Sequence, residues 1–186
     1  ETVDATGLLI LPGGIDPHTH FDLPMFATVS SDDHYSGHRA AAHGGTTTVM
    51  DFVPQEDAGL RASVDLWRLR AARAAVDYSF HMNISRLDSR VEQELPDLLQ
   101  MGIPTLKVFT AYNGRMRLQD AQIFRLLRLA RQLDMLVMVH AEDGDVIEQL
   151  TAEALAAGHT GPEWHARTRP AWGSVGASLR AAALAA

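Results

Sequence analysis

Short apolar runs rich in β-branched residues alternate along this chain with longer segments whose apolar positions recur at helical spacing, and the runs end at intervals of about thirty residues. They predict strands at Ile15 to His20, Thr46 to Val53, Tyr78 to Ile84, Thr105 to Thr110 and Met135 to His140. Between the last two, Ile123, Leu126, Leu127 and Ala130 fall at i, i+3, i+4 and i+7, while Arg125, Arg128 and Arg131 take the opposite side. That pattern is a helix with one face on a sheet. Ser89 and Glu92 have capping-box spacing ahead of another helix, and Gly102 stands where it should stop. Gly44-Gly45 and Gly158 punctuate in the same way. The strands are nearly continuous in apolar residues, as parallel strands covered on both faces are.

Five such βα units fit either an open doubly wound sheet or part of a (β/α)8 barrel. The first strand decides between them. It carries no glycine-rich phosphate loop and ends instead in His18-Thr19-His20, and chemistry at the carboxyl ends of several strands is the barrel pattern. The expected fold class is therefore α/β, a TIM-type barrel with about five of its units present. A full barrel needs about 250 residues; this chain has 186 and opens on Glu1, so an incomplete chain is expected.

Composition narrows the partners. With 46% hydrophobic and 21% charged residues the chain can bury a real core, and its net charge of -7 offers no broad basic surface for nucleic acid or an anionic membrane. Small molecules are the expected partners. The amino end shows no signal-like segment and no apolar run spans a bilayer, so a cytoplasmic protein is expected. The absence of cysteine excludes disulfides and thiolate metal sites, which leaves His and carboxylates as ordinary ligands.

Residues two apart on a strand share a face, so His18 and His20 can meet one ion, and Asp16 has the same parity. An isolated His-x-His is weak evidence. Here Pro12-Gly13-Gly14 turns the chain into the strand and both imidazoles stand at its end. His140 closes the fifth strand at the same end of a parallel sheet, and the carboxylates that follow it read as a helix cap and first-turn charges. Lys107 is the only lysine among sixteen basic residues, yet it sits inside Thr105-Leu106-Lys107-Val108-Phe109-Thr110 with inward parity. It is either paired with a buried acid or held as a neutral amine, and a neutral amine can take up carbon dioxide to become a carbamate that bridges two ions. His34 and His38 have the i, i+4 spacing of a metal pair on a predicted helix that also carries His43. No glutamate follows His34, so a solvated helix face is expected. His159 and His165 lie in a loop-like stretch and receive no role, and the orientation of His81 is open.

Four segments together resemble a known family: Pro12-Gly13-Gly14-Ile15-Asp16-Pro17-His18-Thr19-His20, Gly44-Gly45-Thr46-Thr47-Thr48, Leu106-Lys107-Val108-Phe109-Thr110-Ala111-Tyr112 and Val139-His140-Ala141-Glu142. In order and spacing they are similar to the dihydropyrimidinase and hydantoinase branch of the cyclic amidohydrolases. The resemblance implies two zinc ions (Zn2+), with His18 and His20 on the more buried one, His140 on the second and carbamylated Lys107 bridging them. It further implies that Tyr112 stabilises an oxyanion, that Phe21, Leu23, Phe109 and Met116 line a substrate pocket, and that a metal-bridging hydroxide opens a cyclic amide or ureide. Residues 1–10 would be a remnant of a small β-sandwich domain, with a closing strand near Val3 to Ile10, and 11–186 the amino-terminal part of the catalytic barrel. A homo-oligomer, dimer or tetramer, is expected of the full-length protein. A histidine on the sixth strand and an aspartate on the last have no counterpart here, so the chain alone should be inactive. The segment after Arg169-Pro170 also departs from a glutamate-rich family pattern. The alternatives are an allantoinase or dihydroorotase, sharing the metal site, and a noncatalytic scaffold relative; the presence of His18, His20, Lys107 and His140 argues against the last.

Overall fold

A computed structural model describes residues 2–25 and 27–186. Strands β1 (Gly14–Thr19), β4 (Thr46–Val53), β5 (Asp77–Asn83), β6 (Thr105–Phe109) and β7 (Leu136–His140) form one sheet in that order, and a two-stranded sheet of β2 (Pro24–Met25) and β3 (Thr28–Val29) interrupts the first crossover. All five expected strands are present with ends within one residue of the reading from sequence. Helices α1 (His34–His43), α2 (Leu60–Arg70), α3 (Ser89–Gln100), α4 (Asp120–Gln132) and α5 (Gly144–Ala156) follow the strands in turn, and α6 (Glu163–Arg167) and α7 (Ala171–Ala185) complete the chain. This is a run of five βα units of an incomplete TIM-type barrel. Among the described residues no helix is long and apolar enough to cross a membrane.

Contacts divide the chain into two compact units, Glu1–Phe52 with Leu66–Phe80, and Val53–Asp65 with His81–Ala186. No strand forms from Thr2 to Gly13, and Leu8, Leu9, Ile10 and Leu11 are exposed, so the closing strand expected near Val3 to Ile10 is absent among the described residues.

In the first unit β1 runs parallel to β4, with the register slipping between Gly14 and Ile15 and again between Asp16 and Thr19. The second slip spans Pro17, which has no N–H to give to a ladder. Helix α1 begins at Asp33, whose side chain accepts the Ser36 N–H, and packs through Gly37 onto Phe21; a Cβ at Gly37 would fall 2.1 Å from a Phe21 ring carbon.

His34 and His38 of α1 correct the expectation of a solvated face, while His43 is exposed as expected. His34 and His38 are 1% and 0% exposed, edge-on to Phe21 and near Tyr78, with the Val76 N–H 3.5 Å from His38 Nδ1. The helix HYSGHRAAAH has few large apolar residues to fill that side, so the two imidazoles supply its buried bulk. Beside them Asp51 of β4 is 1% exposed and accepts from Trp67 Nε1 at 3.1 Å and from the Phe21 backbone N–H at 3.5 Å. Its Oδ2 lies 3.5 Å from His34 Nε2, out of line for a hydrogen bond, and Nε2 has no partner among the described residues. Loss of solvent, reinforced by His38, lowers the pKa of His34 to about 4, and loss of solvent raises that of Asp51 to about 6.

In the second unit β6 and β7 pair in register from Thr105↔Leu136 to Phe109↔His140. Leu106 and Val108 are fully buried, while Thr105, Lys107 and Phe109 on the alternate face are partly open, which matches the expected parity. The cap of α3 is Asp88, which accepts the Val91 N–H; Ser89 is already helical, because the aspartate one residue earlier takes the extended backbone a cap requires. Gly102 follows with φ of +79°, ending the helix as expected. Ile123, Leu126 and Ala130 form the buried face of α4. Asp143 caps α5 through the Val146 N–H, and at Gly144 the backbone passes so close to the preceding loop that a Cβ would meet Asn113 Oδ1 at 2.6 Å and the Ala111 Cα at 3.0 Å.

Gly144→Ala must push α5 off that loop, an overpacking effect of about 1–3 kcal/mol, and should lower the thermal midpoint by several degrees; an unchanged midpoint would show that the approach is not tight. The buried histidine gives a pH test. With its folded pKa below the unfolded value of 6.5, the contribution of His34 is fully present above pH 6.5 and is lost as pH falls toward 4. Asp51 acts oppositely, its contribution being present below 3.8 and lost as pH rises through 6. His34→Phe removes only the first, so in urea unfolding the variant should gain on the wild type between pH 8 and pH 5. A difference that is the same at both pH values would mean that His34 is not held neutral.

Candidate functional site

His18 and His20 lie at the end of β1 in the first unit, with ring centroids 5.2 Å apart and their planes nearly perpendicular. Both rest on the Phe52 ring, at 4.5 and 5.1 Å. Asp16, of the same parity, turns its carboxylate back to accept the His18 backbone N–H at 3.1 Å. Immediately after His20 the chain is held at three points: the Phe21 N–H by the buried Asp51, the Asp22 carbonyl by Arg70, and the Asp22 N–H by the Asp32 carbonyl. Arg70 itself lies over the Trp67 ring. The Phe21 ring is taken up by packing against α1, and Leu23 is fixed to Ser30 by two hydrogen bonds of 2.9 Å.

The second unit brings together Lys107, Phe109, Tyr112 and His140. Lys107 pairs with Met138 across the ladder and Phe109 with His140. Burial pushes the Lys107 amine toward its neutral form, and Nζ lies 5.6 Å from the centre of the Phe109 ring. Tyr112 packs on both neighbours, 5.7 Å from the Phe109 ring and 5.3 Å from that of His140. Burial, aided by the charge of Glu142 and opposed by Arg169, raises the pKa of its phenol, so the hydroxyl stays a donor.

The Tyr112 loop is built to hold an unusual backbone. Tyr112 has φ of +65°, in the left-handed region. Its carbonyl accepts from the backbone N–H groups of Arg115, Met116 and Arg117. Asn113 donates to Asp145 at 2.9 Å, and the half-buried guanidinium of Arg117 reaches both Asn113 Oδ1 and Asp145. Met116 rides on this loop, partly covered.

Two residues that the sequence did not single out belong to these arrangements. Glu142 Oε2 lies 2.7 Å from His140 Nε2, where the carboxylates after His140 were expected only to cap and charge α5. Asp51 anchors the chain after His20. An acidic residue inside the apolar run Val49-Met50-Asp51-Phe52-Val53 is the signal that could have marked it. His81, buried, bonds Thr105 Oγ1 through Nδ1, and His159 stacks on Trp164 at 3.9 Å.

Among the described residues no three His, Asp or Glu side chains are gathered as a ready metal-binding set. The donor chemistry nonetheless fits zinc. The first unit supplies two adjacent imidazoles, and the second an imidazole and an amine displaced toward the one form that can become an oxygen ligand.

The amidohydrolase family profile matches residues 9–169. The chain is 47% identical over 173 residues to a D-hydantoinase of Geobacillus stearothermophilus, covering 91% of this chain and 37% of that protein. It is 38% identical to a dihydropyrimidinase of Rattus norvegicus, covering 98% of this chain and 36% of the relative. The crystal structure of a D-hydantoinase from Bacillus sp. AR9 superposes with a TM-score of 0.95 at 44% identity, over 98% of this chain and 40% of that one. The chain thus spans well under half the length of these relatives. On the profile and on these likenesses, it belongs to the amidohydrolase family, in the branch of the D-hydantoinases and dihydropyrimidinases.

Proposed function

We propose that the protein carrying this chain is a zinc-dependent hydrolase that opens the cyclic amide bond of dihydropyrimidines or 5-substituted hydantoins. The observation that carries the reading is Lys107, a lone lysine on the partly open face of β6, displaced toward the neutral amine and accompanied in its unit by His140 and Tyr112. The names of the relatives supply the substrate class.

In this reading His18 and His20 would hold one zinc ion and His140 would help to hold a second, while the Lys107 amine, on adding carbon dioxide with formation of an N–C bond and release of one proton, would supply carbamate oxygens as metal ligands. Bound zinc supplies a water of lowered pKa and polarises the carbonyl to be attacked. The protein's own contributions are separate. Burial displaces Lys107 toward the form that can react, and the protonated Tyr112 hydroxyl is available to a developing oxyanion. Leu23, Phe109 and Met116 are the apolar residues proposed to meet the substrate, and Phe21 serves by fixing the loop that carries Leu23.

Tyr112→Phe removes one oxyanion donor and should lower kcat about 10²- to 10³-fold with little change in bound zinc. Lys107→Ala should abolish turnover and lower the zinc content together. The substrate class is tested by assaying the protein on dihydrouracil, hydantoin, allantoin and dihydroorotate. Turnover of only the last two would sink this reading in favour of an allantoinase or dihydroorotase, and failure to take up zinc at all would favour a noncatalytic scaffold.

A further inference from the structure

The two ring nitrogens of His140 stand in different surroundings. Nε2 lies 2.7 Å from Glu142 Oε2, and among the described residues this is the hydrogen bond its ring makes. A carboxylate oxygen accepts, so in this contact Nε2 is the donor and Nδ1 is the nitrogen left to accept. The contact joins residues two apart at a strand end, where extended chain would carry both side chains away in parallel, so something must turn the backbone. Thr110, 2% exposed, does so: its hydroxyl donates to the Glu142 carbonyl at 2.7 Å, accepts the Glu142 N–H at 3.0 Å and lies 3.1 Å from the His140 carbonyl. One residue on, Asp143 begins α5, which holds the far side of the turn. The imidazole is further fixed by Phe109 and Tyr112, whose ring planes lie within 37° and 33° of its own.

We propose that Glu142 is the positioning residue of His140, fixing the ring in its Nε2–H tautomer so that Nδ1 is the nitrogen offered to an ion. The inference rests on the reading of His140 as a metal ligand. Ligating histidines commonly donate their second N–H to a carboxylate, and removal of that partner weakens metal binding about 10- to 100-fold.

The test combines ¹⁵N NMR of histidine-labelled, zinc-free protein at pH 8 with competition measurements of zinc affinity, on the wild type, Glu142→Ala, Glu142→Gln and His140→Ala. The wild type should show His140 protonated at Nε2. Glu142→Ala should give a mixture of tautomers and lose about 10- to 100-fold in zinc affinity. Glu142→Gln, whose amide oxygen still accepts, should keep the tautomer and stay within a few-fold of the wild-type affinity. An Nδ1–H tautomer in the wild type, or a tautomer unmoved in Glu142→Ala, overturns the proposal. If Glu142→Ala does not fold, the wild-type and Glu142→Gln spectra still decide the tautomer. His140→Ala binding zinc as tightly as the wild type would remove the ligand reading, while the tautomer spectra continue to decide the role of Glu142.

Discussion

Taking an ionisable side chain out of water disfavours its charged form, and in this molecule that constraint acts on Lys107, Tyr112, His34 and Asp51. It moves the Lys107 amine toward neutrality, holds the Tyr112 phenol protonated, keeps His34 uncharged and lifts the carboxyl of Asp51. The consequences differ because the partners differ. Lys107 and Tyr112 lie on partly open faces, where a neutral amine and a phenol donor remain usable by a ligand. His34 and Asp51 are sealed among aromatic rings and act only on the fold.

Buried oxygens tie each set of candidate residues to its scaffold. In the first unit Asp51 takes N–H donors from α2 and from the residue after His20, so the loop leaving the paired imidazoles is anchored to the core of the same unit. In the second unit the Thr110 hydroxyl joins the end of β6 to the turn after His140. A hydrogen bond of this kind contributes about 0.5–1.5 kcal/mol net, but an orphaned buried partner costs more than that. Such contacts therefore define geometry more strongly than they raise stability.

The strands were legible because five apolar, β-branched runs with clear punctuation admit little else, and the parity of Lys107 followed from period two alone. The histidines of α1 were not. Their spacing and the polarity of their helix resemble a solvated face, and only the aromatic residues brought in from β5 and from the loop after His20 make that side an interior. Glu142 was hidden for a related reason. Sequence places it in the acidic approach to a helix, where a cap and first-turn charges are expected, and two of its neighbours, Asp143 and Asp145, do occupy the cap and the first turn. Its turn back to His140 depends on Thr110, thirty-two residues away. The closing strand expected near Val3 to Ile10 came from the resemblance and not from a period in the residues, and no strand formed there.

The contact of Phe21 with Gly37 makes two distant positions share one volume. The ring fills the space in which a side chain at 37 would begin, so a mutation that enlarges one site is tolerated only after the other has shrunk. In a lineage of related chains these positions should change as a pair, and their order of change should be constrained: the smaller ring first, then the larger helix residue. Because Phe21 directly follows His20, that pairing would also record how firmly selection has held the first pair of imidazoles in place.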